Sequence, residues 1–174
     1  SDVIWRETIL LKEAGKTLVV SMGDLAASGG YYISCAADRI FANSTTITGS
    51  IGVFGIMLNQ GGAYEKHLGV TFDDVSTHSH AGKPDGMYAM SAYEKAAYNE
   101  MIVNIYEDFT GKVAKGRGMS RAAVEEVSRG RVWTGSDALE NGLVDEIGSL
   151  EDAVAYAEEL IGNADAIKVY LPEM

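Results

Sequence analysis

Apolar positions along the chain fall into short blocks that switch between helical and extended spacing. In Ser1–Gly15 (SDVIWRETILLKEAG), Val3, Ile4, Trp5, Thr8 and Leu11 lie near helical spacing, which predicts a helix stopped at Gly15. Thr17–Met22 (TLVVSM) is apolar on both faces and predicts a covered parallel strand. The small-residue stretch GDLAASGG predicts a turn, followed by a helix through YYISCAADR. Arg39–Asn43 reads as a short strand and Ser44–Gly52 (STTITGSIG) as strand and turn. Ala63–Leu68 predicts a short helix ending at Gly69, and Val70–Ser76 another strand. Thr77–Met90 holds both Pro84 and Gly86 and predicts the longest loop. Ser91–Lys115 predicts a long helix with Tyr98, Met101, Ile102, Ile105 and Phe109 on one face. Ser120 and Ser136 are expected N-caps of two short helices. Ser149 with Asp152 forms a capping-box pattern opening Leu150–Ile161, and Ile167–Leu171 reads as a last strand.

Strands alternate with helices, so the predicted class is α/β with crossover connections. A domain of this class that opens on a helix is expected to be a fragment lacking an upstream strand; the plain alternative is a domain that simply begins with a helix. No repeat, low-complexity tract or linker interrupts the chain, which predicts a single domain over residues 1–174. The 174 residues carry 14 Lys plus Arg against 25 Asp plus Glu, a net charge of −11. That balance argues against nucleic-acid binding and against docking on an anionic membrane surface, since both need clustered cations. No apolar run approaches the roughly 20 residues of a bilayer span. Cys35 is the single cysteine, so an internal disulfide is excluded.

Chemistry concentrates in Gly23–Tyr32 (GDLAASGGYY). Ser28 sits where a buried strand gives way to a helix, and its small neighbours leave room for a substrate to reach the hydroxyl. Unbonded amides at a helix start can hold the oxyanion of a tetrahedral intermediate, each donor contributing about 3–4 kcal/mol. The same residues also fit a plain reading: Ser28 as an N-cap, the glycines as packing contacts. A serine nucleophile needs a base. His67 falls on a short amphipathic helix. His78 and His80 share one side of an extended segment, which leaves a Ser-His-Asp arrangement open, but no third ligand at a recognisable spacing accompanies them to make a metal site. A lysine base must be desolvated to bring its pKa toward neutrality, and most lysines here fall on polar helix faces. Lys83 is the one lysine in the predicted loop. Leu25, Tyr31 and Val53 are expected to line a pocket for small or apolar side chains.

Several ordered blocks carry a family resemblance: SDVIWRE, AGKTLVVSMGDLAASGGYYIS, TTITGSIG at 45–52, GVFG at 52–55, RVWTGSDALENGLVDEIG at 131–148 and LEDAVAYAEEL. In these the chain resembles the signal peptide peptidase A (protease IV) family, peptidase family S49, and within it the C-terminal half of the long form. The resemblance implies a ClpP/crotonase-like spiral fold, with helices packed on stacked, mostly parallel sheets. It implies a serine endopeptidase of the Ser/Lys type that cleaves remnant signal peptides through an acyl-enzyme, without a metal or cofactor. Ser28 matches the nucleophile, the Gly29 amide an oxyanion donor, and Ser50 the serine that orients the lysine base.

The match has three departures. The family places a strand and a Ser-Pro-Gly-Gly turn, source of the second oxyanion amide, just before the segment matching SDVIWRE. Long forms take their lysine from an N-terminal half; Lys83 lies in the loop that supplies it in short forms, but an ungapped count from Ser28 brings His80 nearer that place. The family's membrane anchor is N-terminal to everything present. The implied parent is therefore a homo-oligomer, tetrameric in long forms, at the inner membrane of a bacterial envelope with its catalytic domain facing the periplasm. The chain alone is expected to be soluble and inactive or incomplete. Two other readings stand beside this one: a structural half-domain that does no chemistry, and a crotonase-like enzyme acting on acyl-CoA.

Overall fold

The computed structural model describes residues 1–78, 81 and 86–162. These residues cluster into two compact units, Ser1–Gly52 with Asp108–Met174, and Val53–Glu107.

The first unit carries every strand among the described residues, and the predicted nucleophile. Helix α1 (Asp2–Glu13) leads to β1 (Val19–Met22), and two residues later β2 (Leu25–Ala27) begins. β1 pairs in parallel with β3 (Arg39–Ala42), which pairs in parallel with β6 (Glu146–Ile147). β2 belongs to a different sheet, pairing in parallel with β4 (Ile47–Gly49), which pairs antiparallel with β5 (Val132–Thr134). The chain therefore steps from one sheet to the other across Gly23–Asp24. That step is stitched to the strand below it: the Thr46 hydroxyl donates to Gly23 O at 2.8 Å, and Ile47 N donates to Asp24 O at 2.8 Å. Three of the four strand pairings are parallel, as predicted for the class.

Helix α2 (Gly29–Ser34) follows β2 directly. Its consecutive tyrosines face two neighbours. Tyr31 is fully buried and donates its hydroxyl to Leu143 O at 2.9 Å. Tyr32 packs its ring 4.8 Å from Phe109 and hydrogen-bonds Asp2 and Asp108. The core around them includes Met22, Ile40, Ile51, Val113, Val124 and Leu143. Helix α5 (Arg121–Val127) is capped by Ser120, whose hydroxyl accepts from Ala123 N, as expected. Helix α7 (Leu150–Ile161) opens on the predicted Ser149–Asp152 capping box.

In the second unit, α3 (Gly61–Leu68) ends at a left-handed Gly69, as the sequence predicts. Helix α4 (Ala92–Arg117) begins in this unit and continues into the first, where Phe109, Thr110 and Val113 are its buried residues.

Four expectations are corrected. The GDLAASGG turn contains a strand, β2, because the main chain of Leu25–Ala27 finds a parallel partner in Ile47–Gly49, a pairing that local composition does not show. Val70–Ser76 forms no strand: it has no ladder partner among the described residues, and Val75 is fully exposed. The apolar face expected to run from Tyr98 to Phe109 is not buried along its length: Met101 and Ile105 are 47% and 44% exposed, while Phe109 is buried. Helix α6 (Gly135–Glu140) is capped by Thr134 rather than Ser136. The Thr134 hydroxyl accepts from Asp137 N while Asp137 reaches back to Thr134, and Ser136 instead bonds Ser44 O. The strand expected at Ile167–Leu171 lies outside the described residues.

Candidate functional site

Ser28 stands at the corner between β2 and α2 with φ 52° and ψ −112°, a conformation that L-residues rarely adopt. Such a backbone costs on the order of 1–3 kcal/mol and persists only where the surroundings over-determine it. Here they do. Ser28 N donates to Gly49 O at 2.8 Å, and Ser28 O accepts from Tyr32 N at 2.8 Å. Both main-chain polar groups are thus engaged, one by β4 and one by α2. The side chain is exposed and accepts no capping bond from the helix amides. The plain N-cap reading needs that bond, so the hydroxyl is available for other work. The first amides of a helix have no intrahelical acceptor, and that of Gly29 immediately follows Ser28. A side chain at Gly29 would strike the Ser1 hydroxyl, which lies 2.5 Å from its Cβ position.

Ser50 is the next residue of interest. It is half-buried, has φ 48°, and its N–H donates to Arg131 O at 2.7 Å. It follows Gly49, whose carbonyl holds Ser28, so the two serines predicted to act together are joined through one peptide unit and one hydrogen bond. Gly49 itself has φ 73°, and a Cβ there would meet Trp133 Cδ1 at 2.6 Å and Arg131 O at 3.1 Å. Conformation and space both require glycine at that point.

A cavity of about 360 Å³ opens beside the corner, lined by Ile4 and Thr8 of α1, Val20–Met22 of β1, Leu25 and Ala26 of β2, and Gly30, Ile33 and Ser34 of α2. Ala26 and Gly30, two residues to either side of Ser28, both reach it. Of the three expected pocket residues, Leu25 lines this cavity. Tyr31 does not, because its ring is consumed by the core and its hydroxyl by Leu143. Val53 belongs to the second unit. Ile4 and Thr8 were not anticipated: their contribution depends on how α1 lies against β1 and α2.

Lys112, whose ammonium sits over the rings of Trp5 and Tyr32, is held in its charged form. Burial tends to lower the pKa of Lys112, but hydrogen bonds to Asp108, Asp2 and Tyr32 outweigh it and hold the ammonium well above the usual lysine value. Lys112 also lies 4.5 Å from the Trp5 ring centroid and 4.9 Å from that of Tyr32, contacts that favour the charged form. Lys12 donates to Ala36 O and pairs with Asp38 at 2.8 Å. Lys83 and His80 lie outside the described residues. His67 on α3 and His78 are exposed residues of the second unit. Among the described residues no cluster of three or more His, Cys, Asp or Glu is placed to hold a metal, and no helix is long and apolar enough to cross a membrane.

Residues 10–163 match the family model described as peptidase family S49. The chain is 44% identical over 161 residues to "Protease 4" of Haemophilus influenzae, an alignment covering 92% of this chain and 26% of that protein. It is 39% identical over 165 residues to "Serine protease SPPA, chloroplastic" of Arabidopsis thaliana, covering 91% of this chain and 23% of that one. The chain thus spans about a quarter of the length of these relatives. Among solved structures, a ClpP1 variant from Listeria monocytogenes superposes with a TM-score of 0.52 at 19% identity, covering 88% of this chain and 67% of that one. That likeness shows the fold, which is of the predicted ClpP/crotonase type.

Proposed function

The chain belongs to peptidase family S49, and from that premise we propose that it supplies the nucleophilic part of a serine peptidase site, with Ser28 as the nucleophile. The observation that carries the reading is the strained corner at Ser28, whose backbone is fully bonded while its hydroxyl is exposed and caps nothing. Strain of this kind presents a side chain outward from a rigid base, the device of a nucleophile elbow. The name of the Arabidopsis relative, a serine protease, agrees.

In this mechanism a neutral lysine takes the Ser28 proton and Oγ attacks a peptide carbonyl. The Gly29 amide donates to the oxyanion, the amine leaves with the proton, and water hydrolyses the acyl-enzyme. The base comes from outside this chain, with Lys83 as the local alternative; the Lys112 ammonium is already engaged by Asp2, Asp108 and Tyr32. Ser50 orients the lysine. The cavity beside Ser28 takes an apolar side chain of the substrate, which fits remnant signal peptides cut in the plane of a bacterial inner membrane. The working enzyme is a homo-oligomer, a tetramer in the long form, anchored by sequence outside this chain.

Ser28→Ala in the full-length protein should retain the parental melting temperature and lose peptide cleavage by at least a thousandfold. Intact mass after treatment with a fluorophosphonate should show one adduct in the parent and none in the variant. Cleavage by Ser28→Ala at the parental rate would remove Ser28 from the mechanism.

A further inference from the structure

Three non-glycine residues have positive φ among the described residues: Ser28 at 52°, Ser50 at 48° and Arg129 at 60°. They span about a hundred positions of sequence, yet one chain of main-chain hydrogen bonds joins them. Ser28 N donates to Gly49 O at 2.8 Å. Ser50 N donates to Arg131 O at 2.7 Å, and Gly130 N donates to Ile51 O at 2.9 Å. The turn Ser128–Arg131 is closed on itself, since Ser128 O accepts from Arg131 N at 3.3 Å and from its guanidinium Nη1 at 2.8 Å. Close approach locks the two segments together: a Cβ on Gly52 would lie 2.7 Å from Gly130 N and 2.9 Å from its Cα.

The β4–β5 ladder ends at the Gly49–Val132 pair. Beyond it an ordinary antiparallel pair would continue extended. Instead Ser50 and Arg129 both turn left-handed, and Gly130 adds φ 76°. These positive-φ residues lie beyond the paired strands. Their effect is to fix the peptide unit between Gly49 and Ser50, which carries the carbonyl that holds Ser28 on one side and the N–H bonded to Arg131 on the other.

We infer that the Ser128–Arg131 turn is a positioning element for the Ser28 corner, with Arg131 as its principal positioning residue; the inference rests on the reading of Ser28 as nucleophile. Arg131 is placed here as a positioning residue, not a catalytic one. It acts through Ser50 and Gly49, and its guanidinium keeps the turn closed by bonding Ser128 O.

The test uses amide hydrogen exchange of the full-length protein together with steady-state kinetics. Arg131→Met removes the guanidinium bond and keeps the stem. Exchange at the Ser28 and Ser50 amides should quicken at least tenfold, while the Phe41 amide, in the other sheet, stays at the parental rate. Peptide kcat should fall about tenfold with KM unchanged, and Arg131→Lys, which can still donate to Ser128 O, should restore exchange and kcat to within threefold. Gly130→Ala is the second variant: its Cβ would meet nothing within 4 Å, so it strains the turn without a clash and should act as Arg131→Met does. Parental exchange at Ser28 in either folded variant overturns the inference. Failure of both variants to fold also overturns it, because the turn would then be a requirement of the fold and not of the site. A parent that takes no fluorophosphonate adduct at Ser28 would instead sink the peptidase reading, and the exchange result would still decide whether the turn holds the corner.

Discussion

Asp145→Asn probes the anchor beneath α2, the helix that follows Ser28. The Arg117 side chain is 7% exposed and that of Asp145 23%. The guanidinium donates to both carboxylate oxygens, at 2.6 and 3.0 Å, and to Gly142 O at 3.0 Å, while Asp145 Oδ2 also accepts from Ile40 N at 2.8 Å. Two residues before Asp145, Leu143 O receives the Tyr31 hydroxyl of α2. Burial pushes the Asp145 pKa upward, but the hydrogen bonds and charge of Arg117 outweigh it and hold the carboxyl below its ordinary value. The asparagine is nearly isosteric and can still accept from Ile40 N, so the variant chiefly leaves a buried guanidinium without its counter-charge. Removing one partner of a buried pair costs about 3–5 kcal/mol, and the residual exposure of Asp145 places this case near the lower figure. For a chain of this length a loss of about 3 kcal/mol corresponds to a melting temperature lower by roughly 6–12 °C. The pH dependence has a definite sign. A carboxyl whose pKa is depressed by folding contributes its full stability above the unfolded value near 3.9, and loses it as pH falls through the folded value. Circular-dichroism melts from pH 7 down to pH 2.5 should show the parent losing stability below about pH 4 more steeply than Asp145→Asn does. A melting temperature within about 2 °C of the parent, or an identical acid limb, would refute the account of this pair.

The remaining expectations are simpler. Lys112→Met removes the cation shared by Asp2, Asp108 and the rings of Trp5 and Tyr32; because both acids are exposed, the cost in urea denaturation should be about 1–2 kcal/mol and should shrink in 1 M salt. Ser149→Ala deletes the α7 capping box and should cost about 0.5–2 kcal/mol, with exchange quickening in the first turn of that helix. Burial pushes the Cys35 thiol up to about 12, and its Sγ donates to Tyr32 O; a disulfide reagent at pH 8 should leave it unmodified in the native protein and label it once urea has unfolded the chain.

Local pattern made most helices legible. Gly69 and the Ser149–Asp152 pair stop and start helices through interactions within a few residues, and such interactions are written into adjacent sequence. The placement of Ser28 between a strand and a helix was also legible, because small neighbours and a strand-to-helix change are local features. Much of what holds Ser28 was not. Leu25–Ala27 looked like turn because its partner, Ile47–Gly49, lies more than twenty residues on. Arg131 and Trp133 back the site through a carbonyl oxygen and a ring edge, and no residue type announces a carbonyl. Ser136 reads as a cap from its hydroxyl, but the deciding carboxylate of Asp137 sits three residues after Thr134, the capping-box spacing. The stripe expected on α4 failed at Met101 and Ile105, where periodicity alone could not tell which stretch of a long helix meets a core.

At position 28 the architecture is separate from the reagent. Gly49 and Tyr32 grip the peptide units on either side, and nothing in that grip involves the oxygen on the β-carbon. A thiol, or a bare methyl, would ride on the same pedestal at the same angle. A lineage built on this scaffold could therefore trade its warhead or shed it altogether and keep its shape, and a descendant that had fallen chemically silent would still look, in its backbone, like an enzyme.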